Sequence, residues 1–226
     1  MEKKVMILEP GPNNGTVGCG GSIIKHIEKW KNSVYMVSLT FGDAPTADFV
    51  PSDFRNIREE ESRRAAKVLG VSQDCLHFLG HKVFAINKER AVQEVMSILR
   101  KVKPDICYIP SPEGNHPDYA ATYEVATIAL SFSGGKWFKS ANNNQDSWTV
   151  PTVLIYEVSV PLRSPSYYEV ISEYVEQKKR ALVEHFSQGA SRRYDEGSYN
   201  LARFRGITFR GEFCEAFQVW RVETIF

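Results

Sequence analysis

The sequence lacks an excess of charge of either sign and lacks long apolar runs. Its 28 lysine and arginine residues are balanced by 27 aspartate and glutamate residues, which leaves a formal net charge of +1 at pH 7. Proteins that bind nucleic acid through its phosphates carry a basic excess, so we expect no nucleic-acid partner. Apolar runs fall short of the roughly 18 residues that cross a bilayer, so we also expect no membrane span.

Closely spaced cysteines are missing as well. The chain has no C-x-x-C pair, and its cysteines are widely separated at Cys19, Cys75, Cys107 and Cys214. This spacing excludes the common zinc and redox motifs and favours reduced thiols packed in a core. The apolar stretch from Val5 to Leu8 is broken by Glu9 and Pro10, which makes it too short for a signal peptide. We therefore predict a cytoplasmic protein.

What the sequence has is the composition of a folded domain and an alternating pattern. Its 226 residues are 42% apolar and 24% charged, which predicts one globular domain over residues 1–226. Short apolar runs predict strands at Val5 to Leu8, Val34 to Thr40, Leu76 to Leu79, Ile106 to Ile109, Val153 to Val158 and Phe217 to Val222. Helical spacing predicts helices over residues 22–30, 52–69, 91–99, 119–130 and 168–185. A glycine-rich turn is expected over residues 11–21 and a polar loop over residues 140–147.

Strands that alternate with helices indicate a Rossmann-like α/β fold. The predicted sheet is doubly wound and mostly parallel, with helices on both faces. In such sheets ligands bind outside the carboxyl ends of the strands, where the strand order reverses. Two loops qualify, one after the first strand from Glu9 to Gly15 and one after the fourth from Pro112 to Tyr119. The first loop does not match G-x-G-x-x-G or the P-loop, so no nucleotide cofactor is expected.

Further short motifs extend this pattern along nearly the whole chain. They are Val17 to Ile23, Arg58-x-x-Glu61 ahead of residues 65–71, Phe78-Leu79-Gly80, Lys103-Pro104-Asp105, Asn115-His116-Pro117-Asp118, residues 151–157, Lys178-x-x-Ala181-Leu182-x-x-His185-x-Ser187-Gln188 and Glu215-Ala216-Phe217. In this order and spacing the sequence resembles the LmbE-like or PIG-L-like N-deacetylases. These are zinc amidohydrolases that mostly remove acyl groups from amino sugars and their conjugates. The resemblance implies an LmbE-like fold and a small-molecule sugar or sugar-conjugate ligand.

The resemblance also implies that the metal site of the family is absent. The family's first motif reads Ala-His-Pro-Asp-Asp-Glu, in which the His and the second Asp bind zinc and the first Asp is the base. Aligned on Pro12, the ligand positions are Gly11 and Asn14, and the base position is Asn13. The last histidine of the second motif, the third ligand, is replaced by Tyr119.

These replacements remove the chemistry that zinc needs. A catalytic zinc site takes about three nitrogen, carboxylate or thiolate ligands and one open position for water. Glycine has no side chain, asparagine offers a neutral oxygen, and tyrosine must be deprotonated from a pKa of about 10. Asn13 has no basic atom with which to take a proton from water. We therefore expect no metal and no other cofactor.

The residues that remain keep several interpretations open. His116 and Asp118 form a catalytic acid–base pair, or Asp118 simply caps the next helix. The resemblance makes Arg58 a substrate contact, whereas a surface pair between Arg58 and Glu61 is the alternative. Glu9 either takes a new role beside the vacated site or forms a salt bridge. We interpret His185 as a core histidine with satisfied hydrogen bonds.

Three functions are compatible with this sequence. The first is an enzyme that acts on a sugar without metal, for which His116 and Asp118 are catalytic and the substrate-binding residues are Asn13, Asn14, Arg58, Tyr119 and Glu9. The second is a protein without activity that binds a ligand, a second copy of itself or an intact deacetylase paralogue. The third is a zinc deacetylase whose ligands are relocated to residues such as Glu9, His116 and Asp118. The simultaneous loss of three ligands and the base argues against the third.

Overall fold

A computed structural model describes residues 2–42, 51–137, 146–189, 193–209 and 212–223 of the chain. The first six residues of the predicted polar loop, 140–145, lie outside the described residues. The strands are β1 (Lys4–Glu9), β2 (Ser33–Thr40), β3 (Leu76–His81), β4 (Ile106–Pro110), β5 (Thr152–Tyr156), β6 (Tyr167–Val170) and β7 (Cys214–Val222). The helices are α1 (Asn14–Glu28), α2 (Pro51–Leu69), α3 (Lys88–Val102), α4 (Pro117–Phe132), α5 (Val175–Val183), α6 (Phe186–Gly189) and α7 (Tyr194–Phe209).

The strands form one seven-stranded sheet in the order β3-β2-β1-β4-β5-β7-β6. Strands β1 to β5 pair in parallel, whereas β7 runs antiparallel to β5 and β6 antiparallel to β7. The chain moves outward from β1 through β2 to β3 and then returns to β4 on the other side of β1. The strand order therefore reverses between β1 and β4, and the predicted doubly wound α/β fold is confirmed.

Helices cover both faces of the sheet, and β1 shows how. Met6 and Leu8 pack with α3 and α4 in one apolar cluster, whereas Val5 and Ile7 pack with α1, α2 and α5 in the other. Successive side chains of a strand point to opposite faces, so a strand that is buried on both faces is apolar throughout. Within the described ranges, none of the helices combines the length and apolar character that crossing a bilayer requires.

The glycine-rich segment was predicted as a turn over residues 11–21, and this prediction is wrong from Asn14 onward. Residues from Asn14 to Glu28 form α1, which contains several of these glycines. A Cβ atom at Gly18 would lie 2.3 Å from Cδ2 of Tyr156, and one at Gly21 would lie 2.6 Å from Cβ of Ile171. The glycines therefore allow α1 to pack closely against β5 and its neighbours, and this packing outweighs their low helix propensity.

The long helix predicted over residues 168–185 is also wrong at its beginning. Residues Tyr167–Val170 form the edge strand β6, and α5 begins only at Val175. Tyr167 and Glu169 pair in register with Phe217 and Glu215 of β7. This pairing involves residues that are distant in sequence, so local helical spacing did not reveal it. Helix α7 was not predicted, and β7 begins three residues before the predicted strand.

Two glycines within helices provide a matched test of the close approach of α1. Gly18→Ala is expected to destabilise the protein by about 1–3 kcal/mol, because the added methyl group would overlap Tyr156. Gly197→Ala in α7 is expected to stabilise it by about 0.5–1 kcal/mol, because no atom lies within 4 Å of the added group. Urea unfolding of both variants measures the difference. Equal effects of the two substitutions would contradict this account of α1.

Candidate functional site

A cleft of about 230 Å³ opens at the carboxyl ends of β1 and β4, where the strand order reverses. Both loops predicted to form the site contribute to it. The lining residues are Pro10, Gly11, Pro12, Asn13, Asn14, Thr40, Gly42, Arg58, Val83, His116, Asp118, Tyr119, Ser187, Gln188 and Tyr194. The sheet topology therefore brings six of the seven predicted site residues into one wall, and Glu9 lies just behind it.

The first loop is a tight turn held by the side chain of Asn14. The backbone N–H of Gly11 donates to Oδ1 of Asn14 at 3.1 Å, and the N–H of Asn14 donates to the Gly11 carbonyl at 3.3 Å. Asn13 adopts a left-handed backbone conformation with φ of 105°, a region that asparagine tolerates better than most residues. The turn thus places two neighbouring asparagines at the cleft.

The same asparagine joins the first loop to the second. Nδ2 of Asn14 donates to the hydroxyl oxygen of Tyr119 at 3.2 Å, and both side chains are buried. Tyr119 lies in the first turn of α4, directly after the loop that follows β4. Gly11, Asn14 and Tyr119, the three positions that the resemblance aligns with zinc ligands, therefore meet at one place in the fold.

Glu9 is buried behind this turn and forms no salt bridge among the described residues, so that interpretation is wrong. Its Oε2 accepts the Gly15 N–H at 2.7 Å and its Oε1 accepts the Ser38 hydroxyl at 2.5 Å. Burial raises the pKa of the Glu9 carboxyl to about 7, although both hydrogen bonds oppose the rise. A Cβ atom at Gly15 would lie 3.1 Å from this carboxylate. Gly15 aligns with the glutamate of the family motif, so the chain supplies a carboxylate near that place from position 9.

His116 and Asp118 lie together in the cleft, but they are not directly hydrogen-bonded to each other through their side chains. Nδ1 of His116 is 3.7 Å from Oδ2 of Asp118, which is too long for a hydrogen bond. Nδ1 instead accepts the backbone N–H of Asp118 at 3.3 Å, so His116 caps α4 and the prediction of Asp118 as the cap is wrong. In the neutral ring the proton therefore resides on Nε2.

The Asp118 carboxylate is committed to another loop. It accepts the backbone N–H of Phe84 at 3.1 Å, and the ring of Phe84 stacks on His116 with 4.5 Å between the ring centres. Burial raises the pKa of Asp118 above its usual value, whereas the His116 ring and the Phe84 N–H oppose this rise. The Asp118 carboxylate thus holds the Phe84 backbone, while the backbone N–H of Asp118 contacts the His116 ring.

Arg58 lines the cleft and does not pair with Glu61, so the predicted surface pair is wrong. Arg58 donates to the Gly42 carbonyl, and its guanidinium carbon lies 5.0 Å from the ring centre of Phe54. Glu61 is buried and accepts the N–H and hydroxyl of Ser187 at 2.8 and 2.7 Å. The role of Arg58 as a ligand contact stays a prediction.

Sequence reasoning did not assign Ser187, Gln188 or Tyr194 to the site. Nε2 of Gln188 donates to the Pro12 carbonyl at 2.9 Å, which ties α6 to the first loop. Ser187 and Gln188 belong to the shared motif near residue 185, so that motif was a signal for them. Nothing in the sequence pointed to Tyr194, which begins a helix that was not predicted.

Comparison with known proteins gives the family. A family profile described as PIG-L, GlcNAc-PI de-N-acetylase, matches residues 6–130. The chain belongs to the PIG-L family. A diacetylchitobiose deacetylase from Thermococcus kodakarensis is 32% identical to it over 195 residues, which are 82% of this chain and 70% of that protein. The resemblance found in the sequence is therefore confirmed.

Solved structures show the same fold. The N,N'-diacetylchitobiose deacetylase from Pyrococcus horikoshii, in complex with an inhibitor, matches 96% of this PIG-L family chain and 83% of its own with a TM-score of 0.85 and 24% identity. A 4-carboxy-2-hydroxymuconate hydratase from Pseudomonas putida matches 99% of this chain and 98% of its own with a TM-score of 0.86 and 17% identity. At these identities the likeness concerns the fold alone, and proteins with this fold include a hydratase.

The donor set of this PIG-L family member does not fit the zinc that the resemblance implies. Both polar ends of the Asn14 carboxamide are engaged, with Gly11 and with Tyr119. Asparagine oxygen and neutral phenol are poor substitutes for imidazole and carboxylate as zinc ligands. In the part of the chain that the structure describes, no three His, Cys, Asp or Glu side chains are grouped so that they could share an ion. A set of ligands relocated to Glu9, His116 and Asp118 is therefore not formed.

The buried Glu9 predicts a specific pH dependence of stability. Its pKa is about 7 in the folded protein against an ordinary value of 4.5, so the folded state binds the proton more tightly than the unfolded state does. The contribution of Glu9 to the free energy of unfolding is then greatest below pH 4.5 and is lost as the pH rises through 7. Glu9→Gln removes this titration. The difference in unfolding free energy, wild type minus Glu9→Gln, should fall by about 2–3 kcal/mol between pH 5 and pH 8.

Urea unfolding at several pH values measures this difference. Glu113→Gln is the matched control, because Glu113 is exposed and should leave the pH dependence of stability close to that of the wild type. A difference between wild type and Glu9→Gln that stays constant from pH 5 to pH 8 would show that Glu9 titrates normally.

Proposed function

We propose that this PIG-L family protein binds an acetylated amino sugar, free or in a conjugate, in the cleft between the β1 and β4 loops. We further propose that it does so without the zinc-dependent amide hydrolysis that the family resemblance implies. The observation that carries both statements is the hydrogen-bonded link from Gly11 through Asn14 to Tyr119. Neutral donors and acceptors stand at the positions that align with the metal ligands.

The lining of the cleft supports a sugar ligand. Most of its polar side chains are uncharged hydroxyls and carboxamides, namely Asn13, Asn14, Thr40, Tyr119, Ser187, Gln188 and Tyr194. Such groups match the hydroxyls and the acetamido group of an amino sugar, which both donate and accept hydrogen bonds. The names of two relatives, both diacetylchitobiose deacetylases, agree with this class of ligand.

His116 is the group in the cleft best suited to a metal-independent reaction. Because its Nδ1 accepts the Asp118 N–H, the neutral ring presents a proton on Nε2. This N–H can donate a hydrogen bond to a sugar oxygen, and when the ring is protonated the transfer of the Nε2 proton to a leaving group, which returns the ring to its neutral form, is the role of a general acid. We assign His116 to ligand binding first and to acid catalysis if turnover is found.

Replacing His116 tests this assignment. His116→Asn keeps an N-cap acceptor and should retain the fold, but it loses the imidazole donor. We expect wild type to bind N-acetylglucosamine more tightly than glucose in calorimetry, and His116→Asn to bind it about tenfold more weakly. Any turnover should be lost with it. The control His77→Asn alters a residue of β3 that lines neither the cleft nor its mouth and should bind as wild type does.

Failure of the wild-type protein to bind either sugar would overturn the proposed ligand class. If His116→Asn keeps full affinity and full turnover, the proposed ligand class stands, but the proposed role of His116 in binding it is wrong. Circular dichroism of each variant separates these results from loss of folding.

Restoring the family residues tests the metal-independent part of the proposal. After dialysis against a buffer that contains zinc, we expect the wild-type protein to retain less than one zinc ion per chain. The triple variant Gly11→His, Asn14→Asp, Tyr119→His should retain about one zinc ion per chain, because it regains three good ligands. At position 11 a Cβ atom would lie 3.3 Å from the Thr40 hydroxyl, so the Thr40 side chain must shift slightly to accommodate the histidine. Stoichiometric zinc in wild type, lost on Asn14→Leu, would overturn the proposal.

A further inference from the structure

A second cavity, of about 290 Å³, adjoins the cleft. We call it the annex. Its lining residues are Asn13, Leu182, Val183, His185, Phe186, Tyr194 and Asp195. Asn13 and Tyr194 line both the annex and the cleft, so one ligand can extend from one cavity into the other.

The mouth of the annex exposes apolar side chains to water. Val183 is 58% exposed and Phe186 is 61% exposed, whereas Leu182 behind them is buried. When a ligand covers large apolar groups at the mouth of a cavity, the binding free energy becomes more favourable, because apolar surface is removed from water. The annex therefore favours an apolar part of a ligand over a second sugar covered with hydroxyls.

His185 is the one histidine of the described residues that has both ring nitrogens buried without a partner. It is 3% exposed, and neither Nδ1 nor Nε2 has a hydrogen-bond partner. The prediction of a core histidine is correct in its burial, but the expectation of satisfied hydrogen bonds is wrong. Burial, together with smaller contributions from the charges of Arg58 and Arg64, lowers the pKa of His185 to about 3, so the ring is neutral at pH 7. A neutral imidazole offers one donor and one acceptor, which suits a hydroxyl group.

His185 lines the annex, although both of its ring nitrogens are shielded from water. A hydroxyl group in the annex reaches them only if a lining side chain moves, and Phe186, which belongs to the same lining, is mostly exposed. A buried polar group without a partner destabilises the protein, so a ligand that supplies the missing hydrogen bonds gains that free energy on binding.

Charged groups of both signs lie around the annex. Asp195 is the charged residue among the described residues that line it, and they include no lysine or arginine. Just outside the lining, the guanidinium carbon of Arg64 lies 5.7 Å from the ring centre of Phe186, and Arg58 and Arg64 both act electrostatically on His185. The preference for an apolar part of a ligand therefore rests on the exposed side chains of Val183 and Phe186 rather than on charge.

We propose that the annex binds the uncharged, apolar aglycone of a sugar conjugate, and that His185 recognises a hydroxyl group on that aglycone. This proposal rests on the proposed function, because it takes the sugar to occupy the adjoining cleft. It defines the ligand as an amphiphilic glycoside rather than a free sugar or a sugar phosphate.

Three probes that differ only in the aglycone test the proposal. They are the methyl, phenyl and 4-hydroxyphenyl β-glycosides of N-acetylglucosamine, measured by calorimetry. In wild type we expect the phenyl glycoside to bind several-fold more tightly than the methyl glycoside, since it covers Val183 and Phe186. The 4-hydroxyphenyl glycoside should bind about tenfold more tightly again, since it supplies a partner for His185. N-acetylglucosamine 1-phosphate should bind no more tightly than the methyl glycoside.

Variants separate the two contributions. In His185→Phe the tenfold advantage of the hydroxyl should vanish, while affinity for the methyl glycoside stays unchanged and thermal stability is maintained or rises, because unsatisfied polar atoms are removed. His185→Gln, which retains a donor and an acceptor, should keep part of the advantage. Phe186→Ser should weaken both aryl glycosides equally. His77→Phe, on β3 and outside both cavities, is the matched control and should change none of these ratios.

The outcomes distinguish this proposal from the proposed function. Equal affinity for the phenyl and 4-hydroxyphenyl glycosides in wild type, or an unchanged ratio in both His185 variants, would overturn the annex proposal and leave sugar binding intact. If no glycoside binds, titration of phenol alone, followed through the NMR signals of the His185 ring, decides the annex separately. A shift of these signals, absent in the His77 ring, supports it, and no shift overturns it.

Discussion

The hydrogen bond from Asn14 to Tyr119 joins the two loops on which the candidate site depends. These loops follow β1 and β4, neighbouring parallel strands whose carboxyl ends meet at the same edge of the sheet. The backbone brings the loops near each other, and the carboxamide then sets their distance, because it binds Gly11 at one end and Tyr119 at the other. A buried polar group left without its partner is costly, so this link holds the geometry of the cleft.

The same link explains why the fold of a deacetylase does not by itself specify the chemistry of this chain. A metal site is a cluster of charged or basic ligands held together by the cation, and without the cation such ligands repel or lose protons. Here neutral groups satisfy one another directly and need no ion. The buried carboxylate of Glu9 accepts hydrogen bonds from Gly15 and Ser38. Burial raises its pKa to about 7, so the group is readily protonated. The hydratase with this fold shows that the framework accommodates reactions other than deacetylation.

The parts of the fold that were predictable are those that depend on local patterns. Strands buried on both faces, such as β1, are continuous apolar runs, and helices such as α3 have one apolar face, so both could be read from spacing. The glycines of α1 and the strand β6 could not be predicted from local spacing. Gly18 fits within a helix because Tyr156 lies against it, and Tyr167 extends as a strand because Phe217 pairs with it. In each case the deciding partner is more than 40 residues away in the chain.

For the site, the sequence alone determined which functional groups are available. Residue type decides whether an atom can donate, accept, bind a cation or take a proton, so the sequence already shows that Asn13, Asn14 and Tyr119 offer neutral side chains and that Gly11 offers only its backbone. Only the tertiary structure decided which of these groups meet and which are kept from water. It turned His116 into a helix cap, separated Arg58 from Glu61 and buried His185 without a partner. The reason is physical: partners and burial arise from segments that are distant in the chain, and no local pattern encodes them.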